Sequence, residues 1–95
     1  MLDIRALVWD EVNIPHIARH TVTKDEVEQA CRGDYIVWEA DKGRFMLVGE
    51  TSADRLISVV LHDKGEGRYY PVTARSASQK ERRRYQRLKG GENTA

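Results

Sequence analysis

The sequence predicts an α+β domain in which two N-terminal helices and a basic C-terminal helix pack on a twisted antiparallel sheet. Three observations support this fold class. The 95 residues suit one compact unit, helical spacing and capping motifs lie towards both ends, and β-rich runs with short turns fill the middle. We predict one domain over residues 1–90, with the order β-α-α-β-β-β-β-α, and a disordered tail over residues 91–95.

The first elements follow from local motifs. Residues 4–9 form a short apolar run that predicts a strand. Asn13 as N-cap and Pro15 in the first turn predict a short helix, and Thr23-Lys24-Asp25-Glu26 is a capping box that predicts a second helix over residues 24–32.

Beyond the second helix the pattern becomes that of strands. The β-rich runs cover residues 35–40, 45–50, 56–62 and 69–74, and connections this short join antiparallel neighbours. Pro71 lacks a backbone donor, which predicts an edge position or a bulge in the last strand. Ser76 as N-cap, with Gln79 three residues later, predicts a final helix that ends before Gly90-Gly91.

The net charge of +1 conceals a strong asymmetry. Residues 1–74 hold nine Lys and Arg against thirteen Asp and Glu, whereas residues 75–95 hold seven against two. Such a basic segment indicates a polyanion or an acidic protein as partner, and the alternative is a solvated helix face. The candidate phosphate-binding residues are Arg82, Arg83, Arg84, Arg87 and Lys89.

Other residues carry candidate chemistry or exclude it. Arg75 lies between the last strand and the last helix, where it suits either an anion site or a structural ion pair. His16 and His20, four residues apart, suit general acid–base catalysis or a plain surface. Cys31 fits a buried thiol, and the three histidines lack the spacing of a zinc site. The sequence has no apolar run of membrane-spanning length and no secretory signal, so we expect a cytoplasmic protein without a cofactor.

The order of motifs resembles the BrnT family of bacterial type II toxins. Trp9-Asp10-Glu11, the His16–His20 helix, Val48-Gly49-Glu50-Thr51 and the stretch from Val72 to Tyr85 carry the resemblance, and its most specific part is Thr73-Ala74-Arg75-x-Ala77-x-x-Lys80-Glu81-Arg82. At Asn13 and Thr21, near positions where the family usually has Lys and Gly, the sequence departs from the pattern.

The resemblance implies a RelE-like ribonuclease fold, cleavage of RNA without a metal and inhibition by a cognate antitoxin. It points to Arg75, Lys80, Glu81 and Arg82 as site residues. The expected assembly is a homodimer or a toxin–antitoxin hetero-oligomer. The alternative is a non-catalytic toxin homologue that acts as a protein- or nucleic-acid-binding module.

The requirements of RNA cleavage through the 2′-OH assign roles to these residues. The reaction needs a base, cations for the phosphorane and a proton donor for the 5′-oxygen. Arg75 and Lys80 suit the cationic role. Glu81, His16 or His20 suits the base, and Arg82 or a histidine suits the donor.

Overall fold

The computed structural model describes residues 1–94, with side chains through Lys89. Its elements are β1 (Ala6–Leu7), α1 (Asn13–Ala18), α2 (Lys24–Arg32), β2 (Tyr35–Asp41), β3 (Arg44–Glu50), β4 (Leu56–Gly65), β5 (Arg68–Ser76) and α3 (Gln79–Thr94). The sheet order is β1-β5-β4-β3-β2. The predicted α+β class and element order are therefore confirmed.

The sheet is mixed, because β1 pairs with β5 in parallel. The predicted antiparallel arrangement holds for the meander from β2 to β5. The first strand is also shorter than predicted, with only Ala6 and Leu7 in the ladder. A parallel partner is possible here because the long chain between β1 and β5 provides the crossover that parallel strands require.

Two hydrophobic clusters lie on opposite faces of the sheet, because successive strand residues point to opposite faces. On the first face, α1 and α2 pack through Ile17 and Val27 against a cluster that includes Leu47 and Val59. On the second face, Tyr85 of α3 and Ala77, which lies just before the helix, pack against β2, β3 and Leu56. We call these the helical-pair face and the α3 face.

The predicted second helix and its capping box are confirmed. The Thr23 hydroxyl accepts from the Glu26 N–H at 3.1 Å, and the Glu26 carboxylate accepts from the Thr23 N–H at 3.0 Å. Val22 before the cap and Val27 in the helix are both buried in the same cluster. Gly49 of β3 allows the close approach of α2, since a Cβ there would lie 2.9 Å from the Ala30 carbonyl oxygen.

The cap predicted for α1 is wrong. Asn13 lies inside the helix and is buried, and its amide donates to the carbonyl oxygens of Val8 and Pro71. The Asp10 carboxylate accepts the first N–H groups instead, from Val12 at 2.8 Å and Asn13 at 2.9 Å. Thr21 follows α1 with a φ of 58°, in the left-handed region that favours glycine.

The limits of α3 also differ from the prediction. Ser76 belongs to β5, and the capping box is Ser78-Gln79-Lys80-Glu81: the Ser78 hydroxyl accepts from the Glu81 N–H at 3.2 Å, and the Glu81 carboxylate accepts from the Ser78 N–H at 2.8 Å. The helix runs past the predicted end at Gly90, because glycine weakens a helix without forbidding it. The domain limits 1–90 and the tail at 91–95 stay predictions, and Ala95 lies outside the described residues.

Pro71 occupies a bulge, one of its two predicted positions. Leu61 pairs with Pro71 whereas Val60 pairs with Thr73, so Val72 is the extra residue of β5. The bulge restores the alternation that places Ala74 in the core of the helical-pair face and Arg75 on the α3 face.

Candidate functional site

The candidate site lies where α3 crosses the end of β5. Strand register places Arg75 directly opposite Ser58 of β4, and both side chains belong to the α3 face. The capping box at the start of α3 brings the Glu81 carboxylate to the same place. Because the chain turns within the few residues between Ser76 and Gln79, Arg75 at the end of β5 and Glu81 at the start of α3 meet in one polar cluster.

Glu81 is the centre of this cluster. Its Oε1 accepts from the Ser58 hydroxyl at 2.7 Å, from Arg75 Nη1 at 2.8 Å and from the Ser78 N–H at 2.8 Å. Its Oε2 accepts from Arg75 Nη2 at 2.8 Å. Burial alone would raise the pKa of Glu81, but the hydrogen bonds from Arg75, Ser78 and Ser58 and the charge of Arg75 lower it to about 2.

Arg75 forms a bidentate ion pair and remains accessible. Nη1 and Nη2 each donate to Glu81, and Nη1 also donates to the Ser76 carbonyl oxygen at 3.1 Å. These bonds use three of the five N–H donors of a guanidinium. The side chain is 47% exposed, against 13% for Glu81, so the remaining donors can reach a solvent-borne anion.

An open cavity of about 360 Å³ adjoins the cluster. Glu81 and Ser78 line it near the start of α3, and Trp38 of β2 lines it from the sheet. Lys80, Arg84 and Arg87 are the cations of its wall. Their spacing of i, i+4 and i+7 places them on one side of α3, so the helix turns a positive face towards the cavity.

The other predicted phosphate-binding residues are distributed around α3. Arg82 is exposed and its Nε donates to the Ala77 carbonyl oxygen at 3.3 Å. Arg83 is exposed and Lys89 is half-buried. Of the five predicted residues, therefore, only Arg84 and Arg87 line the cavity.

The structure does not bring the histidine pair to this site. The His16 and His20 rings pack edge to face with centroids 5.5 Å apart. His16 belongs to α1 and His20 follows the end of that helix at Ala18, and α1 packs on the helical-pair face through Ile17. Among residues 1–94, no hydrogen bond or ion pair joins either ring to Arg75 or Glu81. The third histidine, His62, lies on β4 with its buried Nδ1 unpaired.

The single cysteine, Cys31, is a buried structural thiol. Cys31 lies in the core cluster of the helical-pair face, and burial raises the pKa of its thiol to about 12, as expected of a structural thiol. The described part of the chain contains no group of three or more metal-ligating His, Cys, Asp or Glu side chains. No helix in residues 1–94 is long and apolar enough to cross a membrane.

Two site residues, Ser58 and Trp38, are absent from the sequence prediction. Ser58 is a buried hydroxyl in the otherwise apolar first part of β4, residues 56–61, and this interruption was the available signal. Trp38 gave no signal beyond its strand propensity, because its position beside α3 depends on tertiary packing. The Ser78-x-x-Glu81 spacing was a visible capping signal for the correct start of α3.

Comparison with known proteins supports the fold at the structural level. No protein-family model matches the sequence, and no curated protein is significantly similar to it. The structure is similar to the crystal structure of BrnT, a ribonuclease toxin of Brucella abortus, with a TM-score of 0.63 and 26% sequence identity. The match covers 78% of this chain and 97% of that protein. In its α+β fold, this chain is therefore BrnT-like.

Proposed function

We propose that this protein is a toxin of a bacterial type II toxin–antitoxin system and cleaves RNA without a metal ion. The observation that carries the proposal is the half-exposed Arg75, held by Glu81 beside a cavity lined by Lys80, Arg84 and Arg87. Side chains thus supply converging positive charge for a phosphodiester. The structural similarity to a ribonuclease toxin supports the same function.

The reaction is an internal transesterification. The 2′-oxygen loses its proton to solvent water or hydroxide and attacks the adjacent phosphorus, the bond from phosphorus to the 5′-oxygen breaks, and the 5′-oxygen gains a proton from Lys80. The products are a 2′,3′-cyclic phosphate and a 5′-hydroxyl. Negative charge concentrates on the phosphorane oxygens during this step, so preorganised cations accelerate it. Arg75 serves this role, because Glu81 fixes its plane and leaves two N–H donors for the phosphorane.

Glu81 acts as a positioning residue for Arg75. A carboxylate with a pKa of about 2 is a weak base near neutral pH. Three of the hydrogen bonds that it accepts converge on Oε1. The alternative assignment of Glu81 as general base is therefore disfavoured by its environment.

Lys80 is the proton donor that the cavity offers. Lys80 lines the cavity and its ammonium can transfer a proton to the 5′-oxygen, whereas guanidinium groups retain theirs. His16 lies on α1 and His20 follows it, and neither lines this cavity. We therefore propose that charge stabilisation by Arg75 and Lys80 contributes most of the rate, without the histidine pair.

The proposed partners are RNA and a cognate antitoxin in the bacterial cytoplasm, in a homodimer or a toxin–antitoxin hetero-oligomer. An acidic antitoxin segment would compete with RNA for the same cations of α3. The second candidate function is a non-catalytic toxin homologue that binds protein or nucleic acid. The bidentate bond between Arg75 and Glu81 favours this candidate, because a structural ion pair has the same geometry.

Cleavage of RNA by the Arg75→Ala variant distinguishes the two candidates. We expect cleavage to slow by about 10²- to 10³-fold, the usual effect of removing one preorganised charge-stabilising group. RNA binding should change little, since the cations of α3 remain. Arg83→Ala is the matched control, because it removes an exposed arginine that does not line the cavity.

Labelled RNA resolved by gel electrophoresis gives the rates, and chemical denaturation of each variant shows whether the fold persists. Cleavage by Arg75→Ala at the parent rate would contradict the catalytic assignment. A parent protein that cleaves no RNA in the absence of antitoxin would favour the non-catalytic candidate. Loss of the parent activity in EDTA would contradict cleavage without a metal.

A further inference from the structure

Trp38 and Arg84 form a stacked pair on the wall of the cavity. The Arg84 guanidinium carbon lies 3.9 Å from the centroid of the Trp38 ring, well within cation–π distance. Trp38 is half-buried on β2, an edge strand of the sheet. The pair thus joins the outer edge of the sheet to the middle of α3.

Among residues 1–89, whose side chains the structure describes, Arg84 has no charge partner that would explain this position. No carboxylate in this range lies within ion-pair distance of it, and its buried Nε is without a hydrogen bond in the described part of the chain. A guanidinium that is partly desolvated and has no carboxylate partner is costly for the free protein. Its plane is nevertheless fixed by the indole ring.

We propose that this pair is a nucleobase-stacking site, at which a base of single-stranded RNA enters the cavity. The proposal rests on the proposed function and adds the class of substrate. Flat aromatic and guanidinium surfaces are the groups on which proteins stack unpaired bases. Lys80 and Arg87 flank the pair and are suited to the phosphates on either side of the base.

The dimensions and surroundings of the cavity fit this occupant. A volume of about 360 Å³ lies at the lower end of the range for small-ligand sites. In strand register, Trp38 is followed across the sheet by Met46, Val60 and Thr73, which are all half-buried. This row continues the open surface from Trp38 towards β5, the strand that carries Arg75.

The row also sets the spacing along the sheet. Three steps between strands span about 14 Å of backbone from Trp38 to Thr73. RNA in a stable duplex cannot place a base in the cavity, so the site selects single strands.

Binding of cleavage-resistant oligonucleotides tests the stacking site independently of catalysis. Fluorescence anisotropy would compare a labelled 2′-O-methyl oligoadenylate of about eight nucleotides with an abasic chain that has the same number of phosphates. We expect Trp38→Leu to weaken binding of the oligoadenylate by about 5- to 150-fold and to leave abasic binding unchanged. Trp38→Phe should restore most of the affinity, because it restores an aromatic surface.

Arg87→Ala is the matched charge control, because it removes a cation of the cavity wall, and we expect it to weaken both ligands equally. The stacking site would be overturned if the parent bound the oligoadenylate and the abasic chain with equal affinity. It would also be overturned if folded Trp38→Leu lost the same affinity for both ligands. A cleavage assay of the parent on unmodified RNA tests the proposed function separately. Cleavage without base-dependent binding would remove the stacking site alone. Base-dependent binding without cleavage would retain the stacking site and remove the ribonuclease assignment.

Discussion

Glu81 joins three parts of the chain at a single carboxylate. It closes the capping box of α3 through Ser78, bonds to Ser58 of β4, and fixes Arg75 at the end of β5. A residue with these contacts stabilises the fold and orients the proposed catalytic cation at the same time. Substitution of Glu81 therefore has consequences for stability that can be measured without any substrate.

We predict that Glu81→Gln lowers the free energy of unfolding at pH 7 by about 1–3 kcal/mol, the range for hydrogen bonds to charged groups. In the parent, the pKa of Glu81 falls from 4.5 to about 2 on folding. The stabilisation from this shift is thus complete above about pH 4.5 and is lost as the pH falls towards 2. Urea denaturation at pH 7, 4.5 and 3 should show that the difference in unfolding free energy between Glu81→Gln and the parent becomes smaller as the pH falls.

Glu11→Gln is the control for that series, because Glu11 is an exposed carboxylate outside the site. If the difference in unfolding free energy between Glu81→Gln and the parent is the same from pH 7 to pH 3, the charged carboxylate does not provide the stabilisation. If the difference in unfolding free energy between Glu11→Gln and the parent changes with pH by the same amount, the effect arises from the net charge of the protein.

At this scale the sequence predicted which residues belong to the candidate site better than how they are arranged, and their reactivity stays a prediction. Arg75 and Glu81 were identified from the junction between strand and helix and from the resemblance to BrnT toxins. Their bidentate pairing and the contribution of Ser58 depend on the register of β4 with β5. Register arises from long-range pairing and has no local signature at Ser58.

The helices differ in how far local sequence determines their ends. The Thr23–Glu26 capping box is formed within four consecutive residues and was predicted correctly. The start of α1 depends instead on Asp10, which also accepts a hydrogen bond from the distant Tyr70 hydroxyl. Tertiary contacts of this kind override the N-cap preference of Asn13.

The capping box of α2 also takes part in a longer network. Arg55 donates to both oxygens of Glu26, at 3.1 and 3.0 Å, and to the Ser76 hydroxyl at 2.8 Å. Ser76 adjoins Arg75 in β5. The N-terminus of α2 is thereby tied to the strand end that holds the candidate site, across the end of β4.

We predict that Thr23→Ala destabilises the protein by about 0.5–2 kcal/mol, because it removes the oxygen that accepts from the Glu26 N–H. Cleavage and RNA binding should remain at the parent level, because Thr23 does not line the cavity and its substitution leaves the Glu26–Arg55 ion pair available. Chemical denaturation measures the change. Thr23→Ser, which retains the hydroxyl, is the matched control, and equal destabilisation of both variants would show that the cap does not anchor α2.

The whole molecule combines an acidic body with a basic α3. Residues 1–74 carry an excess of four acidic over basic residues, and residues 75–95 carry an excess of five basic ones. The sequence alone predicted this polarity, since it needs only a count of charges. The direction in which the cations face could not be predicted, because it depends on how Tyr85 of α3 and the preceding Ala77 pack on the sheet.

The number of cations at the candidate site predicts how RNA binding depends on salt concentration. Arg75 and the three cations of the cavity wall, Lys80, Arg84 and Arg87, suit about three to five phosphate contacts on a single strand. Each contact contributes about −0.7 to the slope of log K against log salt concentration, so we expect a slope of about −2 to −3.5. Arg87→Ala, which removes one cation of the cavity wall, should make the slope shallower by about 0.7. Anisotropy titrations at several salt concentrations measure both values, and a flat dependence for the parent would show that α3 does not bind the RNA backbone.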